Sequence, residues 1–274
     1  MRRRNAIIGE TASDPRDKMS IPFDRIADRF DETRGYPEHV MAEIMSALEG
    51  VLDRNELVLD AGVGTGRFAA PLQAKGYMVV GVDLAPRMLT KARQKAVDDL
   101  VRGDLRALPF RDLTFGAAIS IHVLHLISDW RTALAEIGRV TKGSYISAAF
   151  EKRDSPAQQI RDYYDEICAK LGYDTSHPGM RERELPELLP PDTQRPIIQH
   201  EHEVDVESLI NDYESRTYSS QWTVPEDIHS EAIDAMRERY GNMGKVKGIE
   251  RISLLVWRAE KLRALAGTSA RRVP

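Results

Sequence analysis

The sequence predicts an α/β protein in which helices cover both faces of a doubly wound, mostly parallel sheet. Between residues 57 and 150, short runs rich in β-branched residues alternate with segments of helical periodicity. Three such runs are typical of buried parallel strands: Leu57–Asp60, Tyr77–Asp83 and Ala117–Ile121. Helical segments follow at Ala85–Val97 and Asp129–Thr141. This alternation predicts right-handed crossovers and one parallel sheet.

Helices also precede this region, at Phe23–Asp31 and Glu38–Leu52, joined by a turn around Gly35 and Pro37. Beyond residue 150 the strict alternation ends. The predicted elements there are, in order, a helix Ser155–Leu171, a proline-rich loop Gly172–Gln194, a strand Ile197–Val204, a helix Val206–Glu214, a polar aromatic segment Ser215–Val224, a helix Pro225–Tyr240 and a strand Ile249–Trp257.

These elements predict five regions along the chain. A basic tail, 1–18, precedes a ligand-binding core with N-terminal lid helices, 19–151. Residues 152–245, called the cap below, form an insertion that carries one strand of the sheet. The final strand, 246–260, and a basic tail, 261–274, complete the chain.

Composition and charge exclude several classes of protein. Of 274 residues, 42% are hydrophobic and 30% charged, as in soluble globular proteins, and no apolar stretch is long enough to span a membrane. The single cysteine, Cys168, forms no internal disulfide, which favours the cytoplasm. The tails 1–18 and 258–274 carry net charges of +2 and +4, so the body carries −10. Such a body repels phosphate backbones, and we expect a small-molecule partner rather than nucleic acid.

A glycine-rich loop follows the first predicted strand, in the segment Val58-Leu-Asp-Ala-Gly-Val-Gly-Thr-Gly-Arg-Phe68. Its glycines permit a tight turn on which a ligand lies directly against the backbone. A dinucleotide fingerprint would place its third glycine at position 67, where this chain has Arg67. The preceding acid, Asp60, would repel a pyrophosphate but suits a cationic group such as an α-amino group. Asp83, at the end of the next strand, is placed to accept the hydroxyls of a ribose.

At these residues the sequence resembles the class I S-adenosylmethionine-dependent methyltransferases, and within them the ubiquinone and menaquinone biosynthesis group (methyltransferase type 11). The resemblance covers residues 20–150 well and implies a Rossmann-like, seven-stranded sheet with S-adenosyl-L-methionine as cofactor. It implies that the segment Asp60–Gly66 wraps the methionine part and that Asp83 binds the ribose. Around the adenine it places Leu84, Met88, Asp104 and Leu105. The cofactor set it implies is Asp60, Ala61, Gly62, Gly64, Gly66, Asp83, Leu84, Met88, Asp104, Leu105 and His122.

Two interpretations remain open for several of these residues. Asp104 either contacts the adenine or caps a local turn. His122 is either a general base beside the cofactor or a structural histidine, and a structural role is favoured for His125. Arg67 is expected at the surface of the first helical turn.

Acceptor recognition is assigned to aromatic residues of the lid and the cap, which alternatively only close the cap on the sheet. They are Tyr36, Tyr213, Tyr218 and Trp222. Cys168 is predicted to be buried packing. His200 and His202 share one face of a strand, and no metal site is expected.

We therefore expect a methyltransferase that acts on a small molecule by in-line displacement, mainly through positioning of the acceptor and exclusion of water. One alternative is a methyltransferase acting on tRNA or protein through the basic tails. The other is a non-catalytic cofactor-binding protein. Both a monomer and a homodimer are compatible with the sequence.

Overall fold

A computed structural model describes residues 27, 30, 31, 35–152 and 154–267. The nine α-helices within these residues are α1 Glu38–Glu49, α2 Ala69–Ala74, α3 Pro86–Gln94, α4 Trp130–Val140, α5 Pro156–Lys170, α6 Leu185–Leu188, α7 Val206–Glu214, α8 Glu226–Tyr240 and α9 Ala259–Arg263. The strands are β1 Leu57–Ala61, β2 Met78–Asp83, β3 Asp99–Arg102, β4 Phe115–Ile119, β5 Thr141–Lys152, β6 Thr193–Asp205 and β7 Lys245–Arg258.

The seven strands form one sheet in the order β3-β2-β1-β4-β5-β7-β6. The first five are parallel, whereas β7 is antiparallel to both β5 and β6. The carboxyl ends of β1, β2 and β4 therefore meet at one edge of the sheet, where ligands of open α/β sheets bind. The predicted doubly wound, seven-stranded and mostly parallel sheet is confirmed.

The core lies on both faces of this sheet. On one face, α1 and α2 pack through residues such as Ile44 and Leu72. On the other, α4 and α9 pack through residues such as Leu134 and Leu262. A third apolar cluster lies inside the cap, among α5, α7 and α8, and includes Cys168 at 0% exposure. Cys168 is thus buried packing, as predicted.

Most predicted elements are present, with shifted ends. The strand predicted at Ala117–Ile121 is β4, Phe115–Ile119, because the chain leaves the sheet before His122, which has a φ of 62°. The sequence pattern does not delimit strands β3 and β5. The loop predicted over Gly172–Gln194 contains α6, and β6 already begins at Thr193.

The described residues include little of the predicted N-terminal regions and only the start of the predicted C-terminal tail. The helix predicted at Phe23–Asp31 and the tail 1–18 lie almost entirely outside the described residues. The predicted basic tail at 261–274 is corrected at its start, because Leu262 is buried against α4 and Arg263 donates hydrogen bonds to the carbonyls of Gly138 and Thr141. The chain is packed to this point because α9 completes the apolar core on that face; residues 268–274 lie outside the described part.

Candidate functional site

The glycine loop leaves the sheet at the carboxyl end of β1. Gly62, Gly64 and Gly66 have φ values of 85°, 53° and 77°, a region that side chains disfavour. The loop also lies directly against Val123, since a Cβ atom on Gly62 would lie 2.2 Å from Cγ2 of that residue. Glycine is therefore required at position 62 to bring the loop against the segment that follows β4.

Asp83, the last residue of β2, holds this loop in place. One of its carboxylate oxygens accepts a hydrogen bond from the amide of Gly64 at 2.8 Å, and the other accepts from the amide of Ala85 at 2.8 Å. The carboxylate thus joins the glycine loop to the start of α3. Sequence reasoning assigned this residue to a ligand, and the structure gives it a second, structural task.

Asp60 is a buried acid beside Asp83. It lies on β1 between Gly81 of β2 and Ile119 of β4 and is 3% exposed. Burial raises the pKa of its carboxyl to about 7, and the charge of Asp83 contributes to the rise. Among the described residues, its Oδ2 atom has no hydrogen-bond partner. A buried acceptor without a donor suits a ligand that brings a cationic donor group, as the amino-acid part of S-adenosylmethionine would.

The residues predicted around the adenine lie at the ends of β2 and β3, which are neighbours in the sheet. Leu84 is 43% exposed, whereas Met88 and Leu105 are buried. Asp104 accepts hydrogen bonds from the backbone and side chain of Arg106, at 2.8 and 2.6 Å. Burial acts to raise the pKa of Asp104, but these bonds outweigh it and lower that pKa. Asp104 therefore caps a local turn, in agreement with one of its two interpretations. Its contact with the adenine stays a prediction.

His122 follows β4 and faces the lid. Its Nε2 atom shares a short hydrogen bond with the hydroxyl of Tyr36. The ring of Phe150, on β5, lies 4.2 Å from the His122 ring and 5.3 Å from the Tyr36 ring, measured between centroids. The structure therefore brings together the predicted residues Tyr36 and His122. It also places Phe150 beside them. Sequence reasoning missed Phe150 because an apolar residue in a strand normally indicates a core position.

The surface position expected for Arg67 is wrong. Its guanidinium carbon lies 5.2 Å from the ring centroids of both Phe30 and Tyr36. One terminal nitrogen is buried and has no hydrogen-bond partner among the described residues. Arg67 is half-buried because Phe30 and Tyr36, which are distant from it in sequence, pack against its guanidinium.

Glu182, in the cap, is a buried acid at the candidate site that sequence reasoning missed. Its side chain is buried and accepts hydrogen bonds from the amides of Val123 and Leu124, at 2.8 and 3.2 Å. Its other oxygen lies 4.0 Å from Nδ1 of His125. Burial raises the pKa of this carboxyl. An acid between two arginines in a loop normally indicates a solvated surface, so the sequence contains no signal for it.

The cap aromatics form a group of their own. Tyr213 is buried, and its ring centroid lies 5.2 Å from that of Tyr218 and 4.9 Å from that of Tyr164. The indole nitrogen of Trp222 donates to the carbonyl of Arg216 at 2.7 Å. Of the four predicted acceptor residues, Tyr36 contacts His122. The role of the other three stays a prediction.

His200 and His202 share a face of β6, with ring centroids 4.9 Å apart. In the described ranges, no group of three or more His, Cys, Asp or Glu side chains is arranged to hold a metal ion. None of the helices in the described part of the chain has the length and apolar character needed to cross a membrane.

Comparison with known proteins points to one domain type. A family model described as a methyltransferase domain matches residues 59–145. The chain is 29% identical over 160 residues to a malonyl-[acyl-carrier protein] O-methyltransferase of Serratia marcescens, covering 57% of this chain and 62% of that protein. It is 32% identical over 142 residues to a demethylmenaquinone methyltransferase of Renibacterium salmoninarum, covering 49% and 59%. The chain thus spans less than two thirds of the length of these curated relatives.

Two solved structures share the fold. The YcgJ protein of Bacillus subtilis is 19% identical, with a TM-score of 0.51 over 81% of this chain and 98% of that one. A putative methyltransferase of Bacillus halodurans is 18% identical, with a TM-score of 0.51 over 80% and 98%. At this identity the likeness concerns the fold alone. The matched family model spans Asp60, the glycine loop and Asp83: residues 59–145 match a methyltransferase domain.

Proposed function

We propose that this chain transfers a methyl group from S-adenosylmethionine to a small-molecule acceptor. The observation that carries the proposal is the buried Asp60 carboxyl, whose Oδ2 atom lacks a partner beside a glycine loop fixed by Asp83. An unpaired buried acceptor is costly unless a ligand satisfies it. The cationic amino group of the cofactor meets that requirement, whereas the phosphates of a dinucleotide do not.

In this proposal each part of the cofactor has its own residues. The backbone from Ala61 to Gly66, together with Asp60, holds the amino-acid part. Asp83 accepts the ribose hydroxyls, and the adenine lies among Leu84, Met88, Asp104 and Leu105. When bound, the cofactor supplies a methyl group already activated on a sulfonium centre.

On the acceptor side, the chain positions the reacting atom and excludes water. Tyr36 and Phe150 line the site beside His122. Burial raises the pKa of the Tyr36 hydroxyl above its ordinary value, so this group stays protonated where it shares a hydrogen bond with Nε2 of His122. His122 acts as general base only where the acceptor atom must lose a proton during attack.

A small-molecule acceptor is favoured by charge. The body of the protein, residues 19–257, has a net charge of −10 and disfavours a nucleic-acid substrate. Two relatives are named for different substrates, malonyl-[acyl-carrier protein] and demethylmenaquinone, so their names support the reaction and not one acceptor.

Calorimetric titration with S-adenosylmethionine and S-adenosylhomocysteine tests the cofactor. We expect micromolar binding that Asp83→Ala abolishes and that Asp98→Ala, at an exposed acid after α3, leaves unchanged. Circular dichroism of each variant checks that the fold is retained. Failure of the folded wild type to bind either compound would refute the proposal.

An acceptor screen tests transfer itself. The wild type is incubated with S-adenosylmethionine and a library of small molecules, and a mass increase of about 14 Da per methyl group is sought by mass spectrometry. Cofactor binding with no methylated product from small molecules, protein or tRNA would favour the non-catalytic alternative.

A further inference from the structure

Arg161 lies in the cap, in the second turn of α5, above the same edge of the sheet as the candidate site. Helix α5 begins four residues after β5 ends, and β5 runs parallel to β4. The helix packs against β7, which pairs with β5 through Phe150 and Ile252. Phe150 is the residue that contacts both Tyr36 and His122, so α5 is joined to the site through this pair of strands.

The guanidinium of Arg161 is half-buried and forms no salt bridge with the described residues. Burial acts to lower its pKa, but the neighbouring Tyr218 and Tyr213 and the more weakly acting charge of Glu250 raise it. Its Nη1 atom donates to the hydroxyl of Tyr218 at 3.1 Å, and its central carbon lies 5.5 Å from the centroid of that ring. In the part of the chain that the structure describes, we find no carboxylate paired with it. By contrast, Arg216 and Arg237 in the same cap each pair with a glutamate, at 2.9 and 2.5 Å.

This arrangement leaves a cation with donors still available. A guanidinium has five N–H donors in a planar fork, and a single hydrogen bond to Tyr218 uses one. A charge drawn out of water without a partner carries a desolvation cost that an anionic ligand would offset. Carboxylates and phosphates match the fork because they accept two parallel hydrogen bonds.

A continuous set of contacts connects Arg161 with the segment after β4. The ring of His125 lies 4.7 Å from the ring of His177, between centroids. Nε2 of His177 is 3.0 Å from the hydroxyl oxygen of Ser219, the residue that follows Tyr218. These contacts link Ser219, next to Tyr218, to His125, which lies three residues after His122.

We propose that Arg161, oriented by Tyr218, binds an anionic group of the methyl acceptor, either a carboxylate or a phosphate. This inference rests on the proposed methyl transfer and narrows its substrate class to acceptors that carry such an anion. Tyr213, packed behind Tyr218, supports the ring that orients the guanidinium.

The test measures binding of paired probes to protein loaded with S-adenosylhomocysteine. Benzoate is compared with benzamide, and phenyl phosphate with phenol, so that the two arms distinguish a carboxylate from a phosphate. We expect one anion to bind about tenfold or more tightly than its neutral counterpart, as for a hydrogen-bonded charged pair. Arg161→Gln should abolish this preference, whereas Arg239→Gln, at an exposed cap arginine that lies over Tyr163 and Tyr240, should keep it.

Two results would overturn the inference: a wild type with no preference for either anion, or an Arg161→Gln variant that retains the preference. If Arg161→Gln fails to fold, Arg161→Lys and Tyr218→Phe replace it. The lysine should weaken the preference because it lacks the fork, and the phenylalanine should weaken it because the guanidinium loses its orienting hydroxyl; unchanged preference in both overturns the inference.

Cofactor binding is measured on every variant. Normal binding of S-adenosylhomocysteine without anion preference contradicts only the role of Arg161. Loss of cofactor binding by the wild type contradicts the proposed function, and the inference falls with it.

Discussion

Replacement of Asp60 by asparagine should stabilise the ligand-free protein, and increasingly so as the pH rises. The carboxyl is buried, and burial together with the charge of Asp83 raises its pKa from 3.8 to about 7. Between these two values the folded protein binds the proton more tightly than the unfolded chain does. The contribution of Asp60 to the free energy of unfolding is therefore most favourable below about pH 4, declines up to about pH 7 and then stays level.

The size of this effect follows from the two pKa values. Each pH unit between them costs about 1.4 kcal/mol, so full ionisation of Asp60 costs about 4 kcal/mol in the folded state. From pH 5 to pH 8 the wild type should lose roughly 2–3 kcal/mol through this group. Asparagine has the same shape and no titration, so any cost of its own amide is the same at both pH values.

The assay is urea denaturation of the wild type and Asp60→Asn at pH 5 and pH 8, at equal ionic strength. The difference in unfolding free energy between them should grow by roughly 2–3 kcal/mol with pH. In an Asp83→Asn background the growth should shrink, because the second cause of the raised pKa is gone. An exposed control, Asp98→Asn, should show no comparable growth. A difference between wild type and Asp60→Asn that stays constant with pH would refute the reasoning.

Further predictions concern cofactor binding and the loops around the site. Asp60→Asn should weaken S-adenosylmethionine binding at pH 8 in calorimetry even though it stabilises the fold, since the cationic amino group loses the negative charge of its acceptor; unchanged affinity would remove Asp60 from the site. Gly62→Ala should destabilise the protein by about 1–3 kcal/mol more than Gly76→Ala in urea denaturation. Both glycines have φ near 85°, but only Gly62 would meet a side chain, so equal losses would argue against the Val123 contact. Glu182→Ala should cost about 1–3 kcal/mol for each amide left unpaired, and Glu182→Gln, which keeps an acceptor oxygen, should cost less; equal stability of both variants would contradict this.

The sequence by itself determined the sheet and the place of the candidate site at its edge. Strand and helix periodicity are local properties, and they located β1, β2 and the helices α4 and α7 within a few residues. The glycine loop could also be recognised, because glycine adopts left-handed turns without the strain that a side chain brings. Asp60 and Asp83 could be placed together at one edge because parallel strands end on the same side.

Only the tertiary structure decided what surrounds that edge. Tyr36 meets His122 across 86 residues of sequence, and Glu182 meets Val123 across 59. Arg67 looked like a surface residue and is enclosed by Phe30 and Tyr36. Arg161 lies in a helix whose sequence gives no sign that it forms no salt bridge with the described residues. Charge pairing and burial depend on which distant segments pack together, and no local periodicity records that choice.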